Sequence, residues 1–211
     1  IINPLVTKDL GYDSLRDFKA IALVGEVPLI LSAPGDSSYK TLPELVKIVK
    51  ANPGKMTYAS SGSATPGHLA AAALCQALGL DMVHAPYKGA GQALTDLLGG
   101  HVDMFFSSAA AVLPHIEGKS LRALAVSSEK RMRVLPNVHT VAEDGVKDFN
   151  FTLWGGIFVP ANLAKKKFRV NLGINVKPLD ENDEVVINKD SIYDEIQLLG
   201  GDLIKSMNIK K

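Results

Sequence analysis

The sequence predicts an α/β fold built around a mainly parallel β-sheet. Between residues 56 and 126, short apolar segments alternate with helical segments of about ten residues, and short loops connect them. The chain has 211 residues, of which 46% are hydrophobic, so it can form a packed core. Strands that alternate with helices of this length are typical of βαβ units, in which successive strands run parallel.

The first strong element is an apolar stretch at residues 21–33, which is interrupted by Gly25 and Pro28. Because glycine and proline both weaken a strand, this stretch predicts two buried strands separated by a kink. A second apolar stretch around glycines, residues 151–160, predicts another pair of strands. These two stretches flank the regular alternation.

The alternation itself begins with a helix that follows Thr41. Thr41 is a suitable N-cap residue, Glu44 occupies the capping-box position, and Asn52-Pro53-Gly54 ends the helix. Residues 135–143 predict a turn that leads into a short helix. The remaining predicted strands are residues 56–59, 82–85, 101–106 and 121–126, and the remaining predicted helices are residues 68–78, 91–98 and 109–117.

The composition changes at Lys165, after which Lys, Asp, Glu and Asn predominate. This part predicts a less regular tail with one amphipathic helix near residues 191–204. At the other end, residues 1–4 contain neither Met nor a basic leader, so we expect a fragment or a processed product and no signal peptide.

Composition and charge exclude several classes of function. The net charge of +1 comes from 23 basic and 22 acidic residues, which argues against a nucleic-acid surface. The single cysteine, Cys75, lies in an apolar helical run and predicts a buried side chain rather than a disulfide or a nucleophile. The five histidines are dispersed without metal-ligand spacing, so no metal site is expected.

The strongest candidate site is the loop of small residues between the strand at 56–59 and the next helix. Open α/β sheets bind ligands at the carboxyl ends of their strands, where this loop lies. Thr65 and Pro66 predict an N-cap and a first helical position, so hydroxyls and free N–H groups would form an anion site. An ordinary Ser/Gly loop that only caps the helix is the alternative. The candidate ligand-binding residues are Ser60, Ser61, Gly62, Ser63, Thr65, Gly67 and His68.

Two further strand ends carry similar residues. Tyr87, Lys88 and Gly89 follow one predicted strand, and Ser107 and Ser108 follow another. Tyr87 offers an aromatic wall, whereas Lys88 either neutralises a ligand carboxylate or extends along the rim of the cleft. Hydroxyls and backbone donors without a paired base and nucleophile favour binding over catalysis, so no enzymatic activity is expected.

Several tracts together resemble the Bug family, the receptors of tripartite tricarboxylate transporters (TctC type). The most specific is APYKGAGQALTDLLGGHVDM at residues 85–104. The resemblance covers roughly residues 1–163. The other matching tracts are residues 60–69, 113–119, 121–127 and 135–143.

The resemblance implies a periplasmic binding protein-like fold of the Venus flytrap type II, with the first domain incomplete. It implies that residues 27–126 form the complete second domain, and that residues 1–26 and 127–211 form the remnant of the first. Family members hold carboxylates between two loops, one per domain, of which the second-domain loop corresponds to residues 60–68. The other family loop, a Pro-Gly-Gly segment, has no counterpart here, so we expect weak binding.

The resulting hypothesis is a periplasmic receptor that closes on a small carboxylate or amino acid and delivers it to membrane transporter subunits, with no cofactor. One alternative is an effector-sensing domain of a transcription regulator, although no DNA-binding helix-turn-helix is visible in the sequence. A second alternative is a serine hydrolase built on Ser61 or Ser63, although the loop lacks the G-x-S-x-G pattern.

Overall fold

The computed structural model describes residues 8–162 of the chain, apart from the side chains of residues 20–24. The predicted tail and its helix at residues 191–204 lie outside the described residues. The strands are β1 (Phe18–Pro34), β2 (Thr57–Ser60), β3 (Val83–Pro86), β4 (Met104–Ser108), β5 (Leu121–Val126) and β6 (Thr152–Pro160). The helices are α1 (Leu42–Ala51), α2 (Pro66–Leu78), α3 (Ala90–Leu98) and α4 (Ala109–Glu117).

Contacts divide the chain into two compact units. The central unit is residues 27–153, and the other unit combines the two flanking segments. The central unit extends past residue 126, which was the predicted end of the second domain. It does so because the segment after β5 forms backbone hydrogen bonds to the end of that strand and to Ser127. The N–H of Val141 donates to the carbonyl of Val126 over 2.9 Å, and the N–H of Phe151 donates to the carbonyl of Ser127 over 2.9 Å.

The strand order of the sheet is β3-β2-β4-β1-β5, and β6 also pairs with β1. Strand β2 runs parallel to β3 and β4, whereas β1 runs antiparallel to β4 and β5. Strands β2 to β5 therefore all point the same way, as the alternation predicted. The reversed direction of β1 was not predicted, because an apolar pattern reports burial and not strand direction.

The prediction of two strands within residues 21–33 is wrong, since β1 is a single strand of 17 residues. Pro28 does not interrupt it, because its ring holds a φ that extended backbone tolerates. The pairing of β1 with β4 begins at Leu29, and its pairing with β5 begins at Ile30. The N–H that Pro28 lacks is therefore not needed for either of these ladders.

Two expectations near the end of the central unit are also wrong. The second apolar stretch forms one strand, β6, instead of two. No helix follows the turn at Thr140, although its hydroxyl accepts from the N–H of Glu143 (3.0 Å) and the Glu143 carboxylate accepts from the N–H of Thr140 (2.8 Å). Such a capping box normally opens a helix. Here Gly145 adopts a φ of +108° and turns the chain after one turn.

Two apolar clusters cover the two faces of the sheet in the central unit. On one face, Leu29 and Phe106 pack with residues of α1 and α2. On the other face, Ile30 and Phe105 pack with residues of α3 and α4. Neighbouring residues of one strand point to opposite faces, so β1, β2, β4 and β5 each contribute to both clusters. The result is a sheet between two helical layers, which leaves the ends of the strands open for a site.

Ser127→Ala is expected to lower the free energy of unfolding by about 1–3 kcal/mol, because it leaves buried backbone groups unpaired. The fully buried Ser127 hydroxyl accepts from the N–H of Leu29 over 2.8 Å and donates to the carbonyl of Phe151. Urea unfolding followed by circular dichroism measures the loss. Ser128→Ala is the matched control, since Ser128 is more exposed and its hydroxyl bonds, among residues 8–162, only to the carbonyl of Lys130. Equal losses would contradict the assignment.

Candidate functional site

The carboxyl ends of β2, β3 and β4 meet at one edge of the sheet. Ser60 lies opposite Pro86 in the register of β2 and β3, and Ala59 lies opposite Phe105 in that of β2 and β4. Each of these strands is followed by a helix, α2, α3 or α4, whose N-terminus starts near that edge. The three loops that the sequence singled out are thereby brought to neighbouring positions.

The helices that start at this edge have no side-chain caps, in contrast to α1. In α1, the Thr41 hydroxyl accepts from the N–H of Glu44 (3.4 Å), and the Glu44 carboxylate accepts from the N–H of Lys40 (2.6 Å). The N-cap residues of the other three helices, Thr65, Gly89 and Ser108, make no such bond. Their first-turn N–H groups remain available to an external anion, which the helix dipoles also favour.

Thr65 is the N-cap residue of α2, as the sequence predicted, but its side chain makes no capping bond. Its hydroxyl donates to the carbonyl of Gly62 over 2.8 Å. The same carbonyl accepts from the Ser60 hydroxyl over 3.0 Å. Gly62 has a φ of +141°, a conformation that favours glycine. The hydroxyls of Ser60 and Thr65 thus fix the shape of the loop, and Ser60, with 0% exposure, is not available to a ligand.

Four other serine hydroxyls of the predicted site have no hydrogen-bond partner within residues 8–162. Ser63 is exposed, Ser61 and Ser108 are partly exposed, and Ser107 is buried with 5% exposure. These hydroxyls can donate or accept, so they are suited to a ligand that also engages the backbone donors. The structure thereby separates the serines that build the loop from those that can contact a ligand.

The loop after β3 is held to the loop after β2 through Tyr87. The N–H of Tyr87 donates to the carbonyl of Ser60 over 2.9 Å, and its hydroxyl donates to the Asp96 carboxylate over 2.6 Å. This hydrogen bond, followed by burial, raises the pKa of Tyr87 to about 12, so the hydroxyl stays protonated at neutral pH. Lys88 is exposed and forms no ion pair in the described part of the chain, and Gly89 adopts a φ of +151°.

Gly67 and His68 occupy the first turn of α2. A Cβ at Gly67 would lie 2.5 Å from the carbonyl oxygen of Phe106, so only glycine lets α2 approach β4 this closely. The Nδ1 atom of His68 accepts the N–H of Ala64 over 3.0 Å. Gly67 therefore sets the approach of α2 to β4, and His68 positions the loop at Ala64.

The sequence interpretation missed two residues behind the loop, Tyr58 and His84. They lie opposite each other in β2 and β3, and the ring of His84 stacks on that of His68 with centroids 4.0 Å apart. The Nε2 atom of His84 lies 2.7 Å from the Ser60 hydroxyl. A signal was present, because Tyr58 and His84 each lie close to the carboxyl end of a strand that leads into a candidate loop, but the sequence analysis gave them no role beyond their strands.

Within residues 8–162, neither serine of the hydrolase alternative has a base beside it, and no metal site is formed. Ser61 and Ser63, on which the hydrolase alternative rested, hydrogen-bond to no histidine or carboxylate between residues 8 and 162. Over the same range, no group of three His, Cys, Asp or Glu side chains could hold a metal ion. No helix there is both long and apolar enough to cross a membrane.

Comparison with known proteins gives a consistent result. The family model "Tripartite tricarboxylate transporter family receptor" matches residues 1–170. A curated relative, the "UPF0065 protein in tcbD-tcbE intergenic region" of Pseudomonas sp. (strain P51), is 37% identical over 166 residues, which are 78% of this chain and 49% of the relative. The chain thus spans about half the length of this relative.

Two solved structures resemble the fold closely. Periplasmic binding protein BugD is 34% identical with a TM-score of 0.70, over 76% of this chain and 54% of that chain. MatC (Rpa3494) from Rhodopseudomonas palustris with bound malate is 26% identical with a TM-score of 0.68, over 76% of this chain and 55% of that chain. The predicted periplasmic binding protein-like fold is confirmed. A second family model, "Nrap protein domain 6", matches residues 144–207, which lie mostly outside the described residues.

Proposed function

Because the chain belongs to the family of tripartite tricarboxylate transporter receptors, we propose that it binds a small organic carboxylate outside the cytoplasm. In this proposal it delivers the carboxylate to membrane transporter subunits and catalyses no reaction. The periplasm is the compartment that the family resemblance indicates. A carboxylate ligand is supported by the solved structure of R. palustris Rpa4515 with adipate. That protein is 28% identical with a TM-score of 0.69, over 74% of this chain and 52% of that chain.

The observation that carries the proposal is the convergence of three helix N-termini whose N–H groups no side chain caps. A carboxylate is the simplest partner for such donors, because it accepts several hydrogen bonds and is favoured by the positive ends of the helix dipoles. Hydrogen bonds to a charged group contribute about 1.5–3 kcal/mol each. A few of them are therefore sufficient for specific binding without a buried cation.

The predicted ligand-binding residues have two roles in this proposal. One group holds the loops in shape through the contacts described above: Ser60, Gly62, Thr65, Gly67, His68 and Tyr87. The direct donors are the backbone N–H groups of the helix starts after Thr65, Gly89 and Ser108, together with the hydroxyls of Ser61, Ser63, Ser107 and Ser108. Exposed Lys88 adds a long-range attraction that salt screens.

Calorimetric titration of the full chain with malate and adipate tests the proposal. We expect saturable binding of at least one dicarboxylate and no binding of succinamide, which has a similar size but no charge. Equal binding of the amide, or no heat with any carboxylate, would contradict carboxylate recognition.

Fluorophosphonate labelling tests the hydrolase alternative, and stoichiometric modification of a serine would favour it.

A further inference from the structure

Three aromatic rings lie directly behind the loop of residues 60–65. His68 and His84 stack with centroids 4.0 Å apart and planes 13° apart, and Tyr58 lies beside His84 at 4.9 Å and 17°. The Nε2 atom of His84 is 2.7 Å from the hydroxyl of Ser60, whose other partner is Gly62. The imidazole pair is thus connected to both halves of the loop, at Ser60 through His84 and at Ala64 through His68.

The contact between His68 and Ala64 requires one protonation state. The N–H of Ala64 donates to Nδ1 of His68, so this nitrogen must carry a lone pair and any ring proton must lie on Nε2. An imidazolium has two N–H donors and no acceptor, so it cannot accept this bond. Ala64 adopts a φ of +62°, which is unfavourable for a residue with a side chain, and the bond to His68 compensates for this strain.

The surroundings of the pair do not stabilise a positive charge. Burial, and then the neighbouring His68, lower the pKa of His84 below that of an ordinary histidine. The titratable side chain that stacks on both imidazoles is Tyr58 of β2, and burial, followed by the nearby Cys75 of α2, raises the pKa of Tyr58. Within residues 8–162, neither imidazole forms an ion pair with a carboxylate.

We propose that His68 is a positioning residue, whose neutral imidazole holds Ala64 and thereby keeps residues 60–65 in the shape that binds an anion. Protonation removes the acceptor for Ala64 and places charge against the stacked His84 ring, so the loop loses its shape. The sign follows directly: the binding shape requires a neutral His68 imidazole, so it is present at higher pH and is lost when acid protonates the ring. This inference rests on the proposed function, but the loop can be observed without a ligand.

The test uses the full chain labelled with ¹⁵N and His68→Asn. Asparagine places a carbonyl oxygen at the same number of bonds from the backbone as Nδ1, so it can accept from Ala64 but does not titrate. In the wild type at about pH 8, we expect His68 to be protonated on Nε2 only, and the Ala64 amide resonance to shift together with the His68 ring as the pH falls. In His68→Asn the Ala64 resonance should not titrate, whereas in the exposed control His101→Asn it should.

Calorimetry with malate provides the functional measurement. Between about pH 7.5 and pH 5.5 we expect the wild type and His101→Asn to lose roughly tenfold in affinity, because protonation of the His68 ring removes the acceptor for the N–H of Ala64. The affinity of His68→Asn should change less than about twofold over the same range. This variant is also the control for protonation of malate, because malate protonation affects the variant and the wild type alike.

Three results would overturn the inference: His68 protonated on Nδ1 at high pH, an Ala64 resonance that still titrates in His68→Asn, or wild-type affinity that rises in acid. The last result would mean that the histidines act as cations toward the ligand. Absence of malate and adipate binding at every pH would instead contradict the proposed function, and the spectra would still decide the role of His68.

Discussion

Gly67→Val is expected to destabilise the central unit by about 3 kcal/mol or more, the largest stability change that we expect from one substitution. A Cβ at this position would lie 2.5 Å from the carbonyl oxygen of Phe106, and both atoms belong to backbone that cannot move independently. Helix α2 would have to move away from β4, which opens the apolar cluster around Leu74 and Phe106. Urea unfolding followed by circular dichroism gives the change in free energy.

Gly91→Val provides a matched control, because Gly91 is the second residue of α3, as Gly67 is of α2. A Cβ at Gly91 would have no neighbour within 4 Å, and its backbone is not in the left-handed region. We expect a change below about 1 kcal/mol, the range of ordinary helix propensities. Equal losses in the two variants would mean that valine at the start of a helix, and not the close approach to β4, causes the destabilisation.

Much of the central unit was predictable because local patterns report burial and capping. The boundaries of α1 follow from Thr41 and Asn52, and α2 begins at Pro66, as the Thr65-Pro66 pair indicated. The end of α2 was equally accessible, since residue 78 was its expected last position and Gly79, with a φ of +61°, ends the helix there. Each of these features depends on residues close together in the chain, which is why a single sequence contains them.

The features that were missed depend on partners distant in the chain. The direction of β1 is set by its pairing with β4 and β5, whose residues lie more than 70 positions away. The hydroxyl of Thr65 is the exception, because it was assigned to its own helix but donates to the carbonyl of Gly62, three residues before it. His84 was one of five dispersed histidines in the sequence, and only the folded arrangement of α2 beside β3 places the ring of His68 on that of His84.

Ser108→Asp is expected to stabilise the central unit and to weaken malate binding by at least about 100-fold. The loss of binding follows because like charges in contact cost several kcal/mol, and each 1.4 kcal/mol corresponds to a factor of ten in affinity. Ser108 has extended backbone angles, φ −67° and ψ 149°, which suit an N-cap, but its hydroxyl makes no capping bond. An aspartate there would accept the free N–H groups of α4, which raises the unfolding free energy by about 1 kcal/mol. The same N–H groups would then be closed to a ligand carboxylate, and thermal unfolding and calorimetry measure the two effects.

Ser108→Asn separates charge from capping. Asparagine is as good an N-cap as aspartate, so it should give a similar gain in stability, but it adds no negative charge to the edge of the sheet. If the donors of α4 bind a carboxylate, Ser108→Asn should weaken malate binding far less than Ser108→Asp does. Equal losses would mean that occupation of the N–H groups, and not repulsion, dominates. Unchanged affinity in Ser108→Asp would place the ligand away from α4, because a carboxylate at a true anion site competes with every anion that binds there.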